Sequence, residues 1–201
     1  YHSICYTRYM TNLDSPVKIV AFVGLAGSGK SSAVDYLTEK GYPKIYFGGI
    51  LYKAMEEAGV EITWESQQIF REEIREREGK DFIVKRAIKE ARGLIDAGQK
   101  HIILDGLYTW SEYKILKHEF PGEITVIAIV TPKHVRKQRM ANRPERPMTS
   151  EEVDQRDWAE IENIEKGGPI AIADHFIHNE GSLEKLHAEI DKVLDHIHFE
   201  Q

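Results

Sequence analysis

The chain has 201 residues, enough for one α/β domain or for a core carrying a small insertion. Its 41% apolar and 30% charged residues suit a packed core under a solvated surface, and no apolar run approaches the ~20 residues a bilayer-spanning helix needs. A formal charge of −6 supplies no excess positive field for nucleic-acid phosphates, and the lone Cys5 cannot form an internal disulfide, which fits a cytoplasmic protein.

Residues 1–16, beginning Tyr1-His2-Ser3-Ile4-Cys5-Tyr6, read as an N-terminal extension without a basic-then-apolar signal pattern, ahead of one domain over 17–200. An apolar first strand at 17–23 runs into Gly24-Leu25-Ala26-Gly27-Ser28-Gly29-Lys30-Ser31, a complete G-x-x-x-x-G-K-S pattern. A helix-compatible stretch from Ser32 to Lys40 follows, which supplies the strand–loop–helix context of a phosphate-binding loop. The glycines let backbone N–H groups curl around a phosphate, and the helix behind them points its positive end at the same place. Gly24, Ala26, Gly27, Ser28, Gly29, Lys30, Ser31 and Ser32 are therefore the expected ATP-binding residues. Lys30 would reach the β- and γ-phosphates, and the Ser31 hydroxyl would join the Mg²⁺ shell.

Gly41-Tyr42-Pro43 punctuates the chain before a short second strand at 44–47, and Gly48-Gly49 opens a helix at about 50–58. Two charged helices are expected at 64–78, ending at Gly79, and at 81–97, ending at Gly98. Ile69, Ile74, Phe82, Ile83, Ala87, Ile88 and Ala91 recur along them at the spacing of one buried face. Further strands read at 101–104, at 123–130 and at 175–178, the last followed by a closing helix at 183–196. Five strands alternating with helices predict an α/β fold of three layers, a parallel sheet flanked by helices. A helical insertion would span 48–98. Ligands in such sheets bind at the carboxyl ends of the strands, where Lys30, Gly48, Asp105 and Thr131 fall.

Asp105 closes the third strand about 75 residues after Lys30, where a carboxylate can hold the Mg²⁺ shell opposite Ser31 or act as base toward a hydroxyl acceptor. A turn-capping role is the alternative. The segment Arg136-Lys137-Gln138-Arg139-Met140-Ala141-Asn142-Arg143-Pro144-Glu145-Arg146-Pro147 reads as an arginine-rich lid over 136–150. Guanidinium forks from such a lid can meet the charge of a transferring phosphoryl group. Arg139 and Arg143, spaced i and i+4, would share a helix face and take catalytic roles beside Lys30 and Asp105. For Arg136, Arg146 and Arg156, function and solvated surface stay equally open. The charged run 71–78 reads as salt-bridged surface, and Trp64, Trp110 and Trp158 read as core or pocket-wall residues.

With these motifs in place, the chain resembles the nucleoside-monophosphate-kinase group of P-loop proteins, most of all dephospho-CoA kinases and an archaeal adenylate-kinase-like family. Its tail, Ala173-Asp174-His175-Phe176-Ile177-His178-Asn179-Glu180-Gly181-Ser182-Leu183, is similar to the A-D-x-x-I-x-N-x-G-S-L ending of those families. The resemblance implies the P-loop NTPase fold and places that ending near the adenine. It also implies Mg²⁺- and ATP-dependent phosphoryl transfer to a small nucleotide or coenzyme-like acceptor. The departures lie on the acceptor side. Gly49 and Lys53 stand where the group commonly carries Asp and Arg, and Leu107-Tyr108-Thr109-Trp110 follows Gly106 where an acceptor-gripping arginine is common. The second reading is a nucleotide-binding ATPase module acting with a macromolecular partner.

Overall fold

In the computed structural model, which describes residues 16–79, 81–144 and 146–199, five strands form one parallel sheet in the order β2-β3-β1-β4-β5. They are β1 (Lys18–Val23), β2 (Lys44–Tyr46), β3 (His101–Asp105), β4 (Ile124–Val130) and β5 (His175–His178). The N-terminal extension expected over 1–16 lies, but for Pro16, outside the described residues, as do Glu145 and the side chain of Trp64.

Parallel neighbours need crossovers, and the helices supply them on both faces of the sheet. Helix α1 (Lys30–Glu39) follows β1, and α9 (Leu183–His196) follows β5. Val34, Leu37, Leu186, Ile190 and Leu194 of these two pack on Val20 and Phe22 of β1, with Phe199 closing the layer. The opposite face is covered by α4 (Phe82–Asp96), α5 (Trp110–Glu119) and the short α8 (Gly167–Ala171), whose Ala87, Ala91, Leu116 and Ile170 meet Ile19, Ala21 and Val23. β1 is therefore apolar at successive positions because both its faces are core.

The chain leaves β1 toward β2 and β3 on one side and toward β4 and β5 on the other, so the crevice of this sheet opens at the carboxyl end of β1. Register brings the neighbouring strand end into that crevice: Phe22 pairs with Asp105 and Val23 with Ala128.

Between β2 and β3 lie α2 (Phe47–Glu57), α3 (Trp64–Glu78) and α4, joined by a cluster of Leu51, Ala54, Met55, Phe70, Ile74 and Phe82. α2 begins three residues before the expected start, with Gly48 and Gly49 inside its first turn. Ile69 is 59% exposed and departs from the buried stripe, which passes through Phe70 and Ile74 instead. The helices α5 and α7 (Ser150–Glu162) were not anticipated. Each starts at a reciprocal capping box, Thr109 with Glu112 and Thr149 with Glu152, a T-x-x-E signal that the sequence does carry. Trp158 is 60% exposed rather than core. On α7 the inward row holds Val153 and Asp157, so the residue after Asp157 turns outward.

Because Ile74 is fully buried in a cluster separate from the sheet core, its truncation tests how independent the three-helix segment is. Ile74→Ala is expected to cost about 2–5 kcal/mol locally. Hydrogen exchange should then show protection falling in α2–α4 while the strands keep theirs; uniform loss across the chain would refute a separable unit.

Candidate functional site

The loop at 24–29 connects the central strand to α1, and its geometry is set by what holds its carbonyls. The Ser28 carbonyl accepts from Asn179 Nδ2 at 2.7 Å and lies 3.0 Å from Thr131 Oγ1. The single Thr131 proton is shared between that carbonyl and the Asn179 carbonyl at 2.9 Å. Arg136 donates to the Ala26 carbonyl at 3.1 Å, and Arg139 makes longer contacts of 3.5 Å to the Gly27 and Gly181 carbonyls. Three successive carbonyls are engaged by side chains, the Ser28 amide donates to the Leu25 carbonyl at 3.1 Å, and the amides of the first turn of α1 have no intrahelical partner. Gly29 has φ +101°, and a Cβ there would stand 2.1 Å from Asn179 Nδ2, so only glycine fits between helix start and clamp.

The clamp is anchored by a buried ion pair. Arg136 on α6 (Lys133–Ala141) and Asp157 on α7 are each 5% exposed and joined by two hydrogen bonds, 2.9 and 2.7 Å. Arg136 is thus neither a solvated surface residue nor a lid residue; it braces the loop from behind. Arg143 does not share a helix face with Arg139. α6 ends at Ala141, and Pro144 disfavours helical backbone at the preceding residue, so Arg143 lies exposed beyond the helix with its guanidinium 3.8 Å from Met140 Sδ. Arg146 is exposed, and Arg156 pairs with Glu160 at 3.0 Å.

At the mouth of the loop, Lys30 Nζ donates to Asp105 Oδ1 at 3.1 Å, with side chains 15% and 13% exposed. The two residues therefore meet across the β1–β3 register. Ser31 is exposed in the first turn of α1. Its hydroxyl and the Asp105 carboxylate are both oxygen donors, the chemistry that suits Mg²⁺, a cation held by few protein ligands and completed by phosphates and water. Among the described residues no group of three or more His, Cys, Asp or Glu residues could hold a metal ion. Ser28 is 1% exposed, and its hydroxyl has no partner among the described residues. It lies across the loop from Gly24, whose added Cβ would stand 2.5 Å from the oxygen. A buried orphan hydroxyl is costly, and a phosphate oxygen seated in the loop would satisfy it.

The side of the crevice next to β2 and the end of β3 is tyrosine-lined. The Tyr108 ring folds back over Gly106, where φ is +115° and a Cβ would come within 2.8 Å of the ring. Burial, then the Asp105 carboxylate and the Tyr46 phenol, push the Tyr108 hydroxyl well above the usual phenol range. Tyr46 is pushed up by burial, then by Tyr52 and Asp105. Lys53 is exposed on α2. Glu112 is 9% exposed and takes the backbone N–H groups of Tyr108 and Thr109 on one oxygen, each at 2.9 Å, which fixes the loop after β3. Sequence reasoning missed Asp157, Lys166 and Glu160. Asp157 lies 21 residues from Arg136 and carries no local signal, whereas Lys166 directly precedes the Gly167-Gly168-Pro169 break, which could have drawn attention to it.

The model of a family described as "AAA domain" matches residues 20–162. The UPF0200 protein of Thermococcus kodakarensis is 32% identical over 182 residues, covering 89% of this chain and 97% of its own length. A UPF0200/UPF0201 protein of Archaeoglobus fulgidus is also 32% identical over 182 residues, with 89% of this chain and 55% of that protein covered. Among solved structures, shikimate kinase from Bacteroides thetaiotaomicron superposes with a TM-score of 0.56 at 9% identity, covering 90% of this chain and 98% of that one. At that identity the likeness is one of fold: a parallel five-stranded P-loop kinase-like architecture. No helix among the described residues is long and apolar enough to cross a membrane.

Two variants test this geometry. Asp157→Ala leaves a buried guanidinium unpaired and is expected to cost about 3–5 kcal/mol, a fall of roughly 6–20 °C in Tm for a domain of this size. The double variant Arg136→Met/Asp157→Leu should recover most of that stability yet bind nucleotide several-fold more weakly, because the Ala26 carbonyl has lost its donor. Unchanged nucleotide affinity would exclude the clamp. Glu112 offers a pH test. Burial raises its carboxyl above the ordinary value against the opposing pull of its hydrogen bonds, so the folded state penalises the ionised form. That penalty is full above the folded pKa and disappears as pH falls below the unfolded one. Glu112→Gln should therefore stabilise the protein at neutral pH, with the gain vanishing toward pH 4 in urea titrations; a gain that grows on acidification contradicts the assignment.

Proposed function

Because the chain belongs to the AAA-domain P-loop family, whose model matches residues 20–162, we propose that it is an ATP- and Mg²⁺-dependent kinase of a small acceptor, of the nucleotide or coenzyme-like class. The observation that carries this reading is the clamped loop with Lys30 and Asp105 3.1 Å apart at its mouth. Loop amides and Lys30 would hold the β- and γ-phosphates, and the orphan Ser28 hydroxyl gains an acceptor there. Phosphate oxygens would take the place of the Asp105 carboxylate on Lys30, leaving Asp105 and Ser31 to hold Mg²⁺. When bound, the ion neutralises charge on the phosphate oxygens and orients them. The acceptor oxygen attacks the γ-phosphorus as the bond to ADP breaks, and its proton passes to solvent or to a nearby base. No covalent enzyme intermediate is needed, since positioning and charge neutralisation supply the catalysis. Arg139, between the Gly27 and Gly181 carbonyls, takes a donor-side role in this reading. The α2–α4 segment would form the acceptor wall, and the stretch between α6 and α7 the lid.

One observation favours the second reading. The chain covers 55% of the Archaeoglobus fulgidus protein whose name joins UPF0200 to UPF0201, so in that relative the matched region stands beside further polypeptide. A nucleotide-driven module working with a macromolecular partner would fit such an arrangement.

ATP turnover separates the two. Purified protein is offered Mg-ATP with nucleoside mono- and diphosphates, dephospho-CoA and shikimate in turn. The kinase reading expects one acceptor class to stimulate ADP release at least ~10-fold, and Lys30→Ala to lower that rate ~10²-fold or more. Slow turnover indifferent to every acceptor would reject it in favour of the partner-dependent ATPase.

A further inference from the structure

Lys166 is 3% exposed, in the turn between α7 and α8, and the chemistry of the donor half makes no use of it. Its ammonium donates to Glu160 Oε2 at 2.8 Å and stands 5.1 Å from the centre of the Tyr108 ring. Lys30 stands 5.6 Å from the centre of the same ring. One tyrosine ring, held in place by Gly106 and by the Glu112 cap, thus connects the cation of the phosphate loop with a second buried cation from another part of the chain.

A buried lysine is expensive. Desolvation lowers its affinity for the proton, Glu160 works against that, and the nearby Lys30 and Arg156 charges lower it further. One carboxylate shared with Arg156 and one aromatic face do not exhaust three N–H donors, and no other hydrogen-bond acceptor for Lys166 occurs among the described residues. Replacing a buried ion pair by an apolar contact of the same volume is often neutral or stabilising, so stability alone does not account for the pair. A cation held dry, beside the lysine that would carry the transferring phosphate, is instead poised for an anionic ligand.

We infer that Lys166 is an acceptor-binding residue: with the Tyr108 ring as its floor, it receives an oxyanion of the acceptor, a phosphate or a carboxylate. It would replace, from the α7–α8 turn, the arginine that the sequence lacks after Gly106. The inference rests on the kinase reading and names the residue that holds the acceptor's oxyanion. Placing two ammonium groups on the two reacting partners also limits the repulsion between an anionic acceptor and the γ-phosphate.

The test uses the full chain saturated with a non-hydrolysable Mg-ATP analogue, which fills the loop, and titrates inorganic phosphate and acetate by calorimetry. Lys166→Met removes the cation. Lys166→Met/Glu160→Gln removes both charges and guards against misfolding from an unpaired carboxylate. Wild type should bind at least one probe, with phosphate preferred if the acceptor is phosphorylated and acetate if it is a carboxylic acid. The double variant should lose ~10-fold or more of that affinity while binding the analogue within about two-fold of wild type. Equal probe affinity in wild type and double variant, or no probe binding by wild type, overturns the assignment while analogue binding leaves the donor reading standing. Failure of wild type to bind the analogue overturns the kinase reading and this inference with it.

Discussion

The direction in which the peptide carbonyls of residues 26–28 point is the constraint on which the rest of the molecule depends. A loop that cradles phosphate must present N–H groups, and a peptide that turns its N–H inward turns its carbonyl outward, into protein. Each outward carbonyl then needs a donor, because a buried unsatisfied one costs about 1–3 kcal/mol. Donors come from distant parts of the chain: Thr131 after β4, Asn179 after β5, and Arg136 and Arg139 on α6. The loop is therefore specified only when β4, β5 and α6 are in place. Its eight residues are a local motif with a global support.

This explains the uneven legibility of the sequence. The strands were readable because a parallel sheet covered on both faces demands continuous apolar runs, as in 19–23 and 126–130. The loop was readable because its glycines and lysine occur at fixed spacing, and Asp105 because it ends an apolar strand. What could not be read was pairing across distance. Nothing near Arg136 marks it as buried, and it looks like any member of a basic helix until Asp157 is seen beside it. The reverse error has the same origin: Arg143 looks like a helical partner of Arg139 if spacing is counted, but Pro144 has already ended the helix. Trp158 looks like core by type, yet a carboxylate holds the inward position next to it.

The Tyr108 side of the crevice shows a different limit. Comparison of residue types expects arginines at Lys53 and after Gly106, and it goes no further because a cation can be supplied from elsewhere. Tyr108 takes up the space after Gly106, and a cation, Lys166, stands 5.1 Å from the centre of its ring, some sixty residues further on and adjacent only in the fold. Absence of a residue at a motif position is therefore weaker information than its presence. Presence fixes a location, whereas absence leaves every other strand end and turn free to compensate.

α7 ties these halves together. Asp157 holds Arg136 and, through it, the Ala26 carbonyl of the donor loop; Glu160, three residues later and on the adjoining face, holds Lys166 against Tyr108. One helical turn thus carries an anchor for each side of the cleft, and both anchors are carboxylates paired with cations in little water. Rotation or translation of α7 cannot change one without changing the other. The fold thus carries two costly ion pairs on one turn of one helix, so the placement of each depends on the placement of the other.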